Sequence, residues 1–228
     1  MSVYRVLVLL LIGSAVLAPL SGCGKGSDEP RFVAKYEPWR AAEERQCLAS
    51  GIVQYSRFVH ARSSLGGPSV CGAERPFEMS GASGGRVSLK PAAILRCPMI
   101  PAVDRWVTQV VDPAARFHFG LPVTDIKVAA SYGCRPINHQ SGGKLSEHGH
   151  ANAIDISAFH LPNGRVVAVK SGWFGGDERE RAFLRAVHRG ACDTFTTVLG
   201  PYADAFHRDH FHLDLARHGR DGTYRVCK

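Results

Sequence analysis

Two short segments constrain this chain more than any other feature: Ser146-Glu147-His148-Gly149-His150-Ala151-Asn152-Ala153-Ile154-Asp155 and, well downstream, His207-Arg208-Asp209-His210-Phe211-His212. In the first, Ala153, Asp155 and Ser157 alternate with Asn152, Ile154 and Ile156, a period-two pattern that predicts a strand presenting Asp155 on one face. His148 sits where a loop meets that apolar run. In the second, His210, His212 and Asp214 alternate with Phe211, Leu213 and Leu215, and residues two apart on a strand share a face. Two neighbouring strands then bring imidazoles and a carboxylate together from different directions. That donor set suits zinc held by two His and one carboxylate, with a fourth position open.

The same residues carry a resemblance. Ser146-x-His148-x-x-Ala151-x-Ala153-x-Asp155 followed by His210-x-His212 resembles the signature of zinc peptidases that cut peptidoglycan cross-links and D-Ala-D-Ala ends. These are the M15 D,D-carboxypeptidases and the related murein endopeptidases, and the match spans roughly residues 125–215. The resemblance implies His148, Asp155 and His212 as the ligands of one Zn2+ per chain. Ala151 departs from the motif, which usually has Gly there, and puts a Cβ beside the site. Over nearly its whole length after the leader, the chain is similar to the bacterial extensin-like C-terminal domain family, although it has no Pro-rich extensin repeats.

The first residues read as a leader. Arg5, an apolar run from Val6 to Leu20 and then Leu20-Ser21-Gly22-Cys23 form a signal peptide with a lipoprotein cleavage site. The apolar run is short for a membrane span, which needs about 20 residues. Residues 1–22 are therefore expected to be removed and Cys23 acylated, anchoring an exported protein to a membrane of the cell envelope. Residues 23–38, polar and broken by Pro30 and Pro38, read as the lipidated Cys and a flexible tether. Residues 39–228 read as one domain with a core of its own. The formal charge of the whole chain, +8, suits acidic wall polymers or anionic head groups better than nucleic acid in an exported protein. Peptidoglycan is the expected partner.

Removing Cys23 from the count leaves Cys47, Cys71, Cys97, Cys134, Cys192 and Cys227. An even number in an exported chain predicts three disulfides, and no Cys-x-x-Cys pair argues for a structural metal instead. Of the pairings, Cys47–Cys71 is favoured as the local one.

Along the domain, Trp39–Ala49 has helical composition and Gly51 to stop it. Ile52–Val59, Arg75–Met79 and Val87–Leu89 read as extended. Pro91 is expected to open a long amphipathic helix through about Val111, with Leu95, Met99, Val103, Trp106 and Val110 as a core stripe. Asp125–Tyr132 reads as a strand leading into a Gly/Ser/Asn-rich loop long enough to be functional. Asn163-Gly164 marks a hairpin turn between Ala158–Leu161 and Arg165–Val169. Asp177–Cys192 reads as a helix with acids in its first turn, and Thr196–Leu199 and Asp209–Leu215 as strands. The fold class is thus α+β: a single disulfide-stapled domain with a small, mainly antiparallel sheet that carries the zinc site and is flanked by helices.

Hydrolysis at such a site needs a base and a fixed positive charge. Asp209 matches the acidic residue of the carboxypeptidase Glu-x-x-His pattern, while His207 and His210 match the endopeptidase pattern. All three are candidates, with His210 favoured as nearest the metal. Arg135, after Ser131-Tyr132-Gly133-Cys134, resembles the family's strand-end Arg and would face an oxyanion or a substrate carboxylate. Asp214 reads either as an acceptor for a ligand imidazole or as a surface carboxylate. Of the 11 His, His60, His118, His139, His160, His188 and His218 are read as ordinary, and His150 as able to face the site. No G-x-S-x-G elbow argues for a serine hydrolase. The sequence therefore predicts an envelope-anchored zinc hydrolase of peptidoglycan peptides, against the alternative of a non-catalytic wall-binding or structural lipoprotein that keeps the fold.

Overall fold

Pro38, its φ already helical, begins helix α1 (Pro38–Ser50), and Gly51 ends it in the left-handed region at φ +64°. The computed structural model describes residues 32–228, so the expected signal peptide, Cys23 and most of the expected tether lie outside the described residues. The end of the segment expected to be a tether is docked: Val33 N–H donates to Gly143 O at 2.8 Å and Val33 O accepts from Leu145 N–H at 3.1 Å.

After α1 come strands β1 (Val59–Ala61), β2 (Leu65–Gly66), β3 (Gly72–Ala73), β4 (Phe77–Ala82) and β5 (Val87–Leu95). Helix α2 (Met99–Trp106) runs through a π turn at Val107–Val111 into α3 (Asp112–Phe119). Then follow β6 (Asp125–Ala130), β7 (Ala153–His160), β8 (Val166–Ala168), α4 (Val169–Gly175), α5 (Glu178–Ala191), β9 (Thr197–Leu199), β10 (Phe211–Asp214) and β11 (Val226–Cys227). β2 and β3 pair with each other, and the other nine strands form one sheet in the order β1-β4-β5-β6-β7-β10-β9-β11, with β8 also on β7. All neighbours are antiparallel except β5–β6 and β9–β11. The domain is mixed α+β, as the sequence predicts.

The sheet is amphipathic in the way the site requires. On β7 and β10, Ile154, Ile156, Phe211 and Leu213 join the hydrophobic core beneath the helices. Trp106 of α2 meets Phe159 of β7 with ring centroids 6.1 Å apart, and Phe159 meets Phe183 of α5 at 5.1 Å. Trp106 Nε1–H also donates to Val187 O at 3.0 Å, satisfying the one polar atom that burial of the indole strands. The opposite faces of the same two strands carry Asp155, His212 and Asp214, all buried.

Four expectations are corrected. Pro91 does not open a helix; it lies inside β5. There Ser88 pairs with Gly81 and Ala93 with Met79, so the register of β4 shifts opposite Pro91, and a residue without an N–H is tolerated at such a bulge. The helix starts at Met99 instead. Ile52–Val59 is not a strand, and only Val59–Ala61 pairs with β4. The second His segment becomes strand at Phe211, leaving Asp209 and His210 in the turn before it. Finally, the bridges are Cys47–Cys97, Cys71–Cys134 and Cys192–Cys227, not Cys47–Cys71. Cys47 leaves α1 directly above Cys97 at the end of β5, where Glu44 accepts from the Cys97 N–H. The hairpin Asn163-Gly164 is as predicted, with Gly164 at φ +84° between β7 and β8.

Candidate metal centre

The register of β10 against β7 sets His212 opposite Asp155 and Asp214 opposite Ala153, so both carboxylates share a sheet face with the imidazole. His148 arrives from a different direction, on the short turn Glu147–His150 just before β7. Ser146 caps that turn by accepting from His148 N–H. Ala151 ends it at φ +51°, the left-handed region in which Gly alone bears no Cβ penalty. This is the conformational reason a Gly suits that position. The turn is clamped from α1: Arg40 donates to both carboxylate oxygens of Glu147, at 2.6 Å to Oε2, and to Glu37 at 2.8 Å.

Three donor atoms converge. His148 Nε2 lies 3.2 Å from His212 Nδ1 and 3.1 Å from Asp155 Oδ2, and His212 Nδ1 lies 2.9 Å from Asp155 Oδ1. Donors on a tetrahedral ion with bonds of 2.0–2.1 Å stand about 3.3 Å apart. The group His148, Asp155 and His212 is thus sized to hold a metal ion. The outer nitrogens of both rings are committed elsewhere. His148 Nδ1–H donates to Ser131 O, and His212 Nε2–H donates to Asp214 Oδ2 at 2.9 Å. Those bonds select the tautomers that leave His148 Nε2 and His212 Nδ1 as lone-pair donors. Asp214 is in turn held by Ala216 N–H on its other oxygen at 2.9 Å.

The electrostatics follow from burial and pairing. Burial disfavours charge on His212, yet hydrogen bonds to Asp155 and Asp214 overcome it and raise its pKa to about 10 in the metal-free protein. Burial likewise opposes ionisation of Asp155, but bonds from His148 and His212 outweigh it and hold the carboxyl far below the usual range. In the metal-free protein the proton on His212 Nδ1, which faces Asp155 Oδ1, is what a divalent cation would displace.

The group opens into a cavity of about 890 Å³ whose wall includes Arg135, His207 and His210. Arg135 Nη2 stands 3.9 Å from Asp155 Oδ2. Its backbone is fixed by the neighbouring Cys71–Cys134 bridge and by Ser146 N–H donating to Arg135 O at 3.0 Å. His210 Nε2 lies 3.7 Å from Asp155 Oδ2, so His210 reaches the site from the turn before β10. Asp209 does not face the cavity. It is exposed, and its Oδ1 accepts from His210 Nδ1 at 2.9 Å, leaving His210 Nε2 free toward the metal donors.

The extensin-like protein C-terminus model matches residues 45–228, a span holding all six disulfide cysteines and the whole donor group. The chain belongs to this family. No curated protein and no solved structure matches it.

In this extensin-like domain several contributors escape sequence reasoning. Asp204 accepts from His207 Nδ1 at 2.7 Å, giving a second imidazole–carboxylate pair beside the first. The rings of His207 and His210 are 5.2 Å apart. The spacing Asp204-x-x-His207 was a usable signal, since residues three apart meet in a turn. Burial keeps the pKa of His207 below its ordinary value despite Asp204. Ser131 acts through its carbonyl, for which no side-chain signal exists. His139, His150 and His218, none of them required by the motif, also line the cavity, and His218 Nε2 is tied to Thr197 Oγ1 at 2.7 Å.

Proposed function

We propose that this extensin-like domain is a zinc-dependent hydrolase acting on the peptide stems or cross-links of peptidoglycan, carried on an envelope lipoprotein anchored through Cys23. The observation that carries the reading is the convergence of His148 Nε2, His212 Nδ1 and Asp155 with the unbonded Nε2 of His210 in one cavity. Two imidazoles and one carboxylate are a zinc donor set that leaves a position open, and a bound zinc ion supplies Lewis acidity toward a carbonyl and toward water. The likeness of the His148/Asp155 and His210/His212 segments to the M15 peptidases supports an amide as the bond cut, and the leader supports a wall substrate.

The residues divide the remaining work. His210 Nε2 accepts the proton of the attacking water and can return it to the leaving nitrogen, so that water is added across the amide. Asp209 holds the other ring nitrogen and stabilises the imidazolium that forms in between. Arg135 places a fixed positive charge beside the carboxylate ligand, where it can meet a developing oxyanion or a substrate carboxylate. His207, oriented by Asp204 and kept neutral by burial, offers a second imidazole to the same cavity.

The test is chromatographic and mass analysis of muropeptides after purified wall is incubated with the protein, with and without chelator. Loss of terminal D-Ala would mark a carboxypeptidase, and conversion of cross-linked dimers to monomers an endopeptidase. Wall binding that survives chelation with no new products would replace this reading with the binding-module one.

A further inference from the structure

A second groove, of about 720 Å³, lies beside α1 and shares Lys35, Glu37, Arg40 and His150 with the wall of the metal cavity. One face of it is apolar, built from Leu48, Val70 and Ala73. Its charged lining is uneven. Arg40 is used up by Glu37 and Glu147, Arg96 by Glu43 and Glu44, and Lys35 stands 3.8 Å from Glu37. That leaves Arg45 and Arg75, both exposed, opposed only by Glu74; among the described residues neither arginine has a hydrogen-bonded or ion-pair partner. A guanidinium fork in a partly apolar groove is suited to a planar carboxylate, which it can bind through two parallel hydrogen bonds.

We propose that this groove is a second binding site, taking a carboxylate-bearing peptide branch of a polymer whose adjoining branch lies in the metal cavity. The occupant follows from charge complementarity at Arg45 and Arg75 and from the continuity of the two cavities across Arg40 and His150. A site confined to the metal cavity would read one bond and its immediate neighbours. The added groove selects for length and for acidic side groups. This inference rests on the peptidoglycan reading for the identity of the polymer, and its chemistry is that of the stem carboxylates.

The experiment measures binding of the full-length chain, in mild detergent and with chelator present to stop turnover, to soluble muropeptides with free stem carboxylates and to the same muropeptides after amidation. Arg45→Gln, Arg75→Gln and the double variant are compared with the parent. Both positions are exposed, so the variants should fold, and unchanged melting temperatures verify that. Affinity is expected to fall about tenfold per arginine removed, the weight of a forked charge-assisted contact reduced by solvent screening at an exposed site. The parent should lose a comparable amount on amidation of the ligand, while the double variant should be almost indifferent to it. Equal affinity of parent and double variant for the free-carboxylate ligand overturns the proposal. So does binding of anionic vesicles that the double variant loses while muropeptide binding is unaltered. If the carboxylate-dependent binding is found but intact wall yields no products with metal present, the groove stands and the hydrolase reading fails alone.

Discussion

Each of the two candidate ligand imidazoles gives one ring nitrogen to a protein acceptor, and this decides which nitrogen is left for a metal. For His148 the acceptor is the Ser131 carbonyl, and for His212 it is Asp214. His212→Ala should therefore lose the bound metal. Asp214→Asn should keep it but bind it about 10–100-fold more weakly, since partners behind a ligand typically carry that much. Competition with a chromophoric chelator separates the two outcomes. His210 is placed differently: its Nδ1 bonds Asp209 and its Nε2 faces the donors without belonging to the set. His210→Ala should retain about one zinc per chain by metal analysis while wall hydrolysis slows by about 10²–10⁴-fold. Loss of metal together with activity would make His210 a ligand instead. Asp209→Asn should slow the reaction less, because it removes orientation and leaves the base.

Elements act here by bringing distant residues into register. The β7–β10 pairing alone sets Asp155 against His212, and a slip of β10 by one residue would turn His212 and Asp214 into the apolar core, away from Asp155. The loop after β6 needs a different fastening. Cys134, next to Arg135, is bonded to Cys71 across 63 residues, and Gly133 N–H donates to His148 O at 3.1 Å. Replacing both cysteines by Ala should lower stability by about 2–5 kcal/mol in denaturant unfolding and free the segment that positions Arg135. Turnover should drop further than metal occupancy, because the donor group itself stands on other elements. An unchanged unfolding midpoint would show that the bridge constrains nothing.

At the scale of the whole molecule, acid is the sensitive direction. Burial, reinforced by the Arg40 charge, lowers the pKa of His150 from 6.5 to about 4, and burial also lowers His188 and His207. A group whose folded pKa is depressed takes up its proton more readily when unfolded, so stability falls as pH drops from about 6.5 toward 4. His212 runs the other way: its stabilising charge is present below pH 6.5 and lost as pH rises through about 10 in the metal-free protein. Thermal melts of the metal-free protein across pH 4–7 should show the acid loss, and His150→Gln should flatten it. The tether adds a separate check. Mass spectrometry of the processed protein should find an acylated Cys23 at the N-terminus, and an unmodified Cys23 would remove the anchor from the proposal.

The alternation around Asp155 and His212 was readable because a strand repeats every two residues, so sequence alone puts both on a polar face opposite Ile154 and Leu213. The same local logic found α1 with its Gly51 stop, α5 with its acidic first turn, and the Asn163-Gly164 hairpin, all set by contacts within a few residues. An even cysteine count likewise announced disulfides. Which cysteines pair was beyond it: Cys47 meets Cys97 only because α1 lies across the end of β5. Pro91 misled for a related reason, since proline suits both a helix start and a strand bulge, and the choice was made by β4 shifting register beside it. Asp204, Ser131 and the Arg40–Glu147 clamp, which spans 107 residues, were likewise decided by tertiary structure. Residue type and spacing determine what a segment can offer, and only the packing of one element on another determines what that offer meets.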